Sequence, residues 1–161
     1  MDKELKILFV CSGNTCRSSM AEAIAKKKIK EMNFNGDGGE KIKIMSAGTG
    51  AFPGSPASPQ AVEVLKRKDI DLTDHKSQRI SPDMLDKADF IFTMTVIQKQ
   101  QVLFMNPAAK GKTFTLKEFA YPDSLDDLNI ADPYGGDVDC YEKCAEQLEA
   151  AIQKMLDRIF E

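Results

Sequence analysis

Ile7-Leu8-Phe9-Val10-Cys11-Ser12-Gly13-Asn14-Thr15-Cys16-Arg17-Ser18 is the stretch whose reading decides the fold. Its first four residues are continuously apolar, the pattern of a strand buried on both faces, as a parallel sheet requires. The strand ends at Cys11, and a loop runs on to Arg17. Ser19-Met20-Ala21-Glu22 then has the spacing of a capping box that opens a helix, with Met20, Ile24 and Ala25 toward one face. The lysines at 26–28 suit the solvated end of that helix, where cations also favour the dipole.

Outward from this stretch the chain alternates strands and helices. Lys41 to Met45 reads as a second strand after a Gly- and Asn-rich loop over 33–40. Ser58-Pro59 and Ser81-Pro82 each cap and start a helix. Phe90 to Met94 is a third strand, followed by a helix from about Val96 to Met105 that Asn106-Pro107 stops. Thr113 to Leu116 is a short fourth strand, and Tyr121 to Val138, dense in Asp, Pro and Gly, is a long loop of the kind that often carries a site. A last helix, about Asp139 to Phe160, places Cys140, Cys144, Leu148, Ile152, Met155 and Ile159 on one stripe, so both cysteines read as core thiols. The pattern predicts an α/β fold: a four-stranded parallel sheet with helices on both faces, a flavodoxin-like three-layer sandwich. With no repeat and no linker, residues 1–161 read as a single domain.

Composition narrows the function. The balance of 22 Lys and Arg against 25 Asp and Glu gives a net charge of −3, which speaks against a nucleic-acid partner. The apolar runs are far shorter than the ~20 residues of a membrane span, so no membrane association is expected. Met1-Asp2-Lys3-Glu4 leads into the first strand without a cleavable signal pattern, which makes the cytoplasm the default location; a monomer is the expected state. Four cysteines, at 11, 16, 140 and 144, are too few and too unevenly spaced for a disulfide scaffold. With His75 the sole histidine and no Cys-x2-Cys pair, neither a metal nor any other cofactor is expected.

The chemistry gathers at the first loop. In open α/β sheets ligands sit at the carboxyl ends of the strands, which is where Cys11 falls. The five residues between Cys11 and Arg17, Ser12, Gly13, Asn14, Thr15 and Cys16, suffice for a loop whose amides cradle a tetrahedral anion at a helix N-terminus. Gly13 allows close backbone approach, Asn14 tolerates left-handed geometry, and Arg17 offers a bidentate fork to two phosphate oxygens. Cysteines near helix N-termini and cations ionise well below the ordinary pKa of about 8.5, so a cysteine nucleophile here needs no histidine base. Ser18 can donate its hydroxyl to the sulfur. A leaving group needs a proton, and Asp132 in Asp132-Pro133-Tyr134 is the leading donor.

These residues resemble the low-molecular-weight protein tyrosine phosphatase family, which carries Cys-x5-Arg-Ser near the N-terminus and Asp-Pro-aromatic near the C-terminus. The resemblance covers nearly the whole chain, including Ser46-Ala47-Gly48-Thr49 and His75-Lys76-Ser77-Gln78. It implies that Cys11 is the nucleophile, that Arg17 binds phosphate, that Ser18 supports the thiolate, and that Asp132 acts as acid and then as base. It also implies that Asn14, Ser46 and His75 brace the loop and that the partner is a phosphorylated protein or peptide. Ser19 departs from the proline common after Arg-Ser in the family.

Thr15 stands where tyrosine-specific members usually place Ile or Leu, and together with Asp132-Pro133-Tyr134-Gly135-Gly136-Asp137 it resembles the protein-arginine phosphatase branch. Phosphoarginine is therefore the preferred substrate: Thr15 can hydrogen-bond a guanidinium on which Tyr134 can stack. Phosphotyrosine is the alternative. Two readings are weaker still. A thioredoxin-coupled arsenate reductase needs relay cysteines that are missing between Cys16 and Cys140, and a phosphoprotein-binding module would have no use for Cys11 and Asp132. Two readings of Cys16 stand side by side, a packed small residue or a disulfide partner for oxidised Cys11.

Overall fold

The computed structural model describes residues 4–32, 41–124 and 126–161; the loop expected over 33–40 lies outside them. Four strands, β1 (Glu4–Cys11), β2 (Lys41–Gly48), β3 (Phe90–Thr93) and β4 (Thr113–Thr115), form one parallel sheet in the order β2-β1-β3-β4. The helices are α1 (Arg17–Glu31), α2 (Pro59–Lys66), α3 (Pro82–Lys87), α4 (Val96–Met105), α5 (Leu116–Ala120) and α6 (Val138–Ile159), with a short 3-10 helix over Pro107–Lys112. The predicted sandwich is the observed one.

Strand β1 explains why. Ile7, Leu8, Phe9 and Val10 are all fully buried, and their period of two sends them to opposite cores. Ile7 and Phe9 join the larger core with side chains of α1, α2, α5 and α6, whereas Leu8 and Val10 join the smaller one with side chains of α3 and α4. Phe92 of β3 extends the larger core, packing edge-on to Phe119 at a ring separation of 5.0 Å. Helix α6 closes it with Leu148, Ile152, Met155 and Leu156, each worth about 1.5–3 kcal/mol when fully buried. The chain leaves β1 toward β2 on one side and returns to β3 on the other. The direction of winding therefore reverses at the carboxyl end of β1, which opens a crevice there.

Several local expectations need correction. Ser19 does not cap α1: the helix starts two residues earlier at Arg17, no side chain caps it, and Ser19 Oγ donates to Cys16 O at 2.9 Å. Glu22 is drawn instead to Ser46, so the capping-box spacing was coincidental. Ser58 holds the N-cap position of α2, but its side chain makes no cap hydrogen bond. Strand β2 continues to Gly48 because its pairing with β1 runs on to Cys11. Helix α5, with a full capping box of Thr115 and Glu118, went unpredicted. Cys140 is exposed, whereas Cys144 is a core thiol: Tyr141, one residue on, is buried in the larger core, so Cys140 lies at the edge of the buried face of α6.

Gly48 sits directly beside Cys11 in the register, and a Cβ there would lie 2.5 Å from Ser12 O and 3.0 Å from Asn14 N. Both neighbours are main chain and cannot rotate away. Gly48→Ala is expected to destabilise the protein by about 1–3 kcal/mol, read as a fall in the urea midpoint; an unchanged midpoint would contradict this close fit.

Candidate active site

Cys11 ends the central strand, and the loop after it is held from both sides. Thr49 N–H donates to Cys11 O at 2.9 Å and Gly50 N–H to Ser12 O at 3.0 Å, which locks the loop to the chain leaving β2. Ser58 N–H donates to Thr15 O at 3.0 Å and ties it to α2. Helix α1 then begins with its first amides free of side-chain caps, the condition under which a helix N-terminus offers donors to an anion.

Asn14 turns the loop. Its φ of 57° lies in the left-handed region, which asparagine tolerates better than most residues. Its buried side chain then makes three hydrogen bonds: Nδ2 donates to Ser18 Oγ at 2.8 Å and to Ser46 Oγ at 2.9 Å, while Oδ1 accepts Gln78 N–H at 2.9 Å. The Gln78 amide can only donate, so the orientation of the Asn14 amide follows. Ser18 Oγ, accepting from Asn14, keeps its own proton for Cys11 Sγ, 2.8 Å away. Asn14 N–H points at the same sulfur from 3.2 Å. Ser46 passes its proton outward to Glu22 Oε1 at 2.5 Å. His75 Nε2 lies 2.6 Å from Asn14 O, and a carbonyl only accepts, so Nε2 carries the proton.

A cleft of about 230 Å³ opens above the sulfur, lined by Cys11, Gly13, Thr15 and Cys16 from the loop, by Arg17, and by Asp132 and Tyr134 from the far side. Asn14, Ser18 and Ser46 are buried behind it, and the exposed Ser12 turns its hydroxyl to Gln98. Arg17 is 5% exposed, and its Nη1 donates to Ile130 O at 2.8 Å. Its Nη2 stands 3.5 Å from Asp132 Oδ2, while Asp132 Oδ1 accepts Tyr134 N–H at 3.1 Å. The Asp132 side chain is half exposed, so this ion pair adds little to stability and chiefly orients the carboxyl over the cleft. Tyr134 is 76% exposed and forms the rim.

Cys16 lines the cleft, yet its sulfur also lies 3.3 Å from Tyr141 Oη and 3.5 Å from Ser58 Oγ. Burial, reinforced by the bond to Cys16, pushes Tyr141 up to about 12, so its hydroxyl stays protonated near neutral pH. Burial likewise pushes the Cys144 thiol up to about 12 and keeps it protonated. Among the described residues no cluster of three or more acidic, His or Cys side chains has the arrangement of a metal site, and no helix is long and apolar enough to cross a membrane.

Sequence reasoning missed Glu22, Gln78, Gln98, Ile130 and Tyr141. Gln78 was visible as part of His75-Lys76-Ser77-Gln78, but its contribution to Asn14 is a main-chain amide and has no signature in residue type.

The model of the family described as low molecular weight phosphotyrosine protein phosphatase matches residues 6–161. A protein-arginine-phosphatase of Geobacillus stearothermophilus is 38% identical over 154 residues, which are 96% of this chain and 95% of the relative. A probable low molecular weight protein-tyrosine-phosphatase, EpsP of Ralstonia nicotianae, is 33% identical over 153 residues, 95% of this chain and 94% of the relative. The crystal structure of a YwlE mutant from Bacillus subtilis superposes with a TM-score of 0.88 at 32% identity, covering 98% of this chain and 99% of that one.

Asn14→Ala removes all three side-chain bonds and leaves the Gln78 amide without its acceptor, at about 1–3 kcal/mol, while Ser46 keeps Glu22 and Ser18 keeps Cys11. Turnover of p-nitrophenyl phosphate is expected to fall at least about tenfold, with the far-UV circular dichroism retained. A variant that folds and turns over normally would remove Asn14 from this role.

Proposed function

The chain belongs to the low molecular weight phosphotyrosine protein phosphatase family, and from that premise we propose that it hydrolyses phosphoarginine in proteins through a phosphocysteine on Cys11. That it is an enzyme, a protein phosphatase of this family, follows from membership. The observation that carries the mechanism is the placement of Cys11 Sγ, 2.8 Å from Ser18 Oγ and 3.2 Å from Asn14 N, in a cleft that Arg17 and Asp132 also line.

Cys11 Sγ attacks phosphorus in line, while the loop amides and the Arg17 guanidinium take the non-bridging oxygens and stabilise the charge that gathers there. As the P–S bond forms, the bond from phosphorus to the leaving nitrogen breaks, and Asp132 gives that nitrogen its proton. A water then attacks phosphorus and Asp132, now a carboxylate, takes its proton. The P–S bond breaks, Ser18 donates to the departing thiolate, and inorganic phosphate and the starting enzyme result.

The substrate choice rests on Thr15 and Tyr134, which line the same cleft. Thr15 Oγ1 can accept from a guanidinium N–H, and the exposed Tyr134 ring can stack on its plane. The 38% identical relative is named an arginine phosphatase, which agrees with this reading. A phosphotyrosine reading draws on the same Tyr134, whose ring equally offers a face to another ring, and on the 33% identical relative named a tyrosine phosphatase.

On matched peptides, kcat/KM is expected to favour phosphoarginine. Thr15→Ile should shift the preference toward phosphotyrosine by about tenfold, the worth of one hydrogen bond to a charged partner. Cys11→Ser should abolish turnover of both. A preference for phosphotyrosine in the parent would sink the substrate choice, and turnover by Cys11→Ser would sink the mechanism.

A further inference from the structure

Asp132 stands on a segment, 121–137, whose described residues include no helix or strand. Its place over Cys11 therefore depends on individual contacts. Two hold the main chain at Ile130, whose N–H donates to Met94 O at 2.8 Å and whose carbonyl accepts from Arg17. A third reaches farther: Asn129 Oδ1 accepts Val96 N–H at 2.8 Å.

Val96 is the first residue of α4, and its amide is one of the donors that a helix start leaves without an internal partner. The helix's own capping box serves Gln98 N–H through Thr95 Oγ1 and Thr95 N–H through Gln98 Oε1, and it leaves Val96 to Asn129. Asn129 is itself seated, its N–H donating to Asp127 Oδ1 at 2.9 Å. On its other side the same turn grips the nucleophile loop. Gln98 is buried and its Oε1 accepts from both Met94 and Thr95, so Nε2 is turned to donate to Ser12 Oγ at 3.1 Å. The first turn of α4 thus bonds to the residue after the nucleophile and to the residue three before Asp132.

We propose that Asn129 is a positioning residue for Asp132: by accepting the Val96 amide it fastens the Asp132 segment to α4, and through Gln98 to the loop bearing Cys11, which sets the approach of the carboxyl to the leaving atom. The inference rests on the assignment of Asp132 as proton donor. It separates from a general loosening of the site by its selectivity. Ile130 also holds Arg17, so slackness there would slow every phosphate ester alike, whereas a misplaced acid slows only those esters whose leaving group needs a proton.

The test compares kcat/KM, which covers the steps through departure of the leaving group, for phenyl phosphate and for 2,4-dinitrophenyl phosphate, whose phenolate leaves unprotonated. Asn129→Ala is expected to lower the value for phenyl phosphate about 3- to 10-fold, the equivalent of one hydrogen bond, and to leave the dinitrophenyl ester within about twofold. Asn129→Asp, which keeps an acceptor of the same length at a helix start, should restore the parent value. In an Asp132→Asn background Asn129→Ala should cost nothing further. An equal loss on both esters, a failure of Asn129→Asp to restore, or an added loss in the double variant would each overturn the proposal. Asp132→Asn alone tells two failures apart. If it is selective for phenyl phosphate and Asn129→Ala is not, only the positioning role falls; if neither is selective, the acid assignment falls and takes the positioning role with it.

Discussion

The loop after Cys11 hangs on one side chain that lines no part of the cleft. Asn14 holds the loop in a left-handed turn and commits both side-chain donors, to Ser18 and Ser46, and its carbonyl oxygen, to the amide of Gln78. The amide joins three separate segments, α1, the end of β2 and the chain before α3, at a point with no access to water. It also aims Ser18, whose oxygen accepts from Asn14 and whose own hydrogen remains available to the sulfur. A residue of similar size without the acceptor would leave the Gln78 amide unpaired, which costs more than a typical bond contributes.

What the sequence made legible followed from periodicity and local chemistry. Four consecutive apolar residues at 7–10 imply burial on two faces, which implies a parallel sheet and a ligand crevice at Cys11. Asp132 was visible because an Asp-Pro-aromatic run in a long loop is a local signal, and the structure brings it to 3.5 Å from Arg17. Residues that act across the fold were not visible. Gln98 meets Ser12 across 86 positions and Arg17 meets Ile130 across 113, and neither pairing has a period or a spacing to betray it. Ser19 misled for the opposite reason: the spacing of a capping box arose by coincidence within a helix that starts at Arg17, and Glu22 serves Ser46. Cys140 misled because a helical stripe does not say how wide the buried face is: Tyr141 beside it faces the core, and Cys140 lies at the edge.

The site is assembled from parts of unequal firmness. The sulfur, the loop and Arg17 sit on the innermost strand and the start of α1, amid fully buried side chains, whereas the carboxyl is held by a few bonds on a segment whose described residues are mostly exposed and which Ile130 anchors in the larger core. Breaking the first part requires opening both cores; breaking the second requires only the release of 121–137. Loss of function under mild stress is therefore graded, not all at once. The carboxyl leaves first and takes with it the Ile130 carbonyl that steadies Arg17, the loop around Cys11 persists until the sheet itself comes apart, and between the two lies a state with its sulfur in place and both of its charged groups adrift.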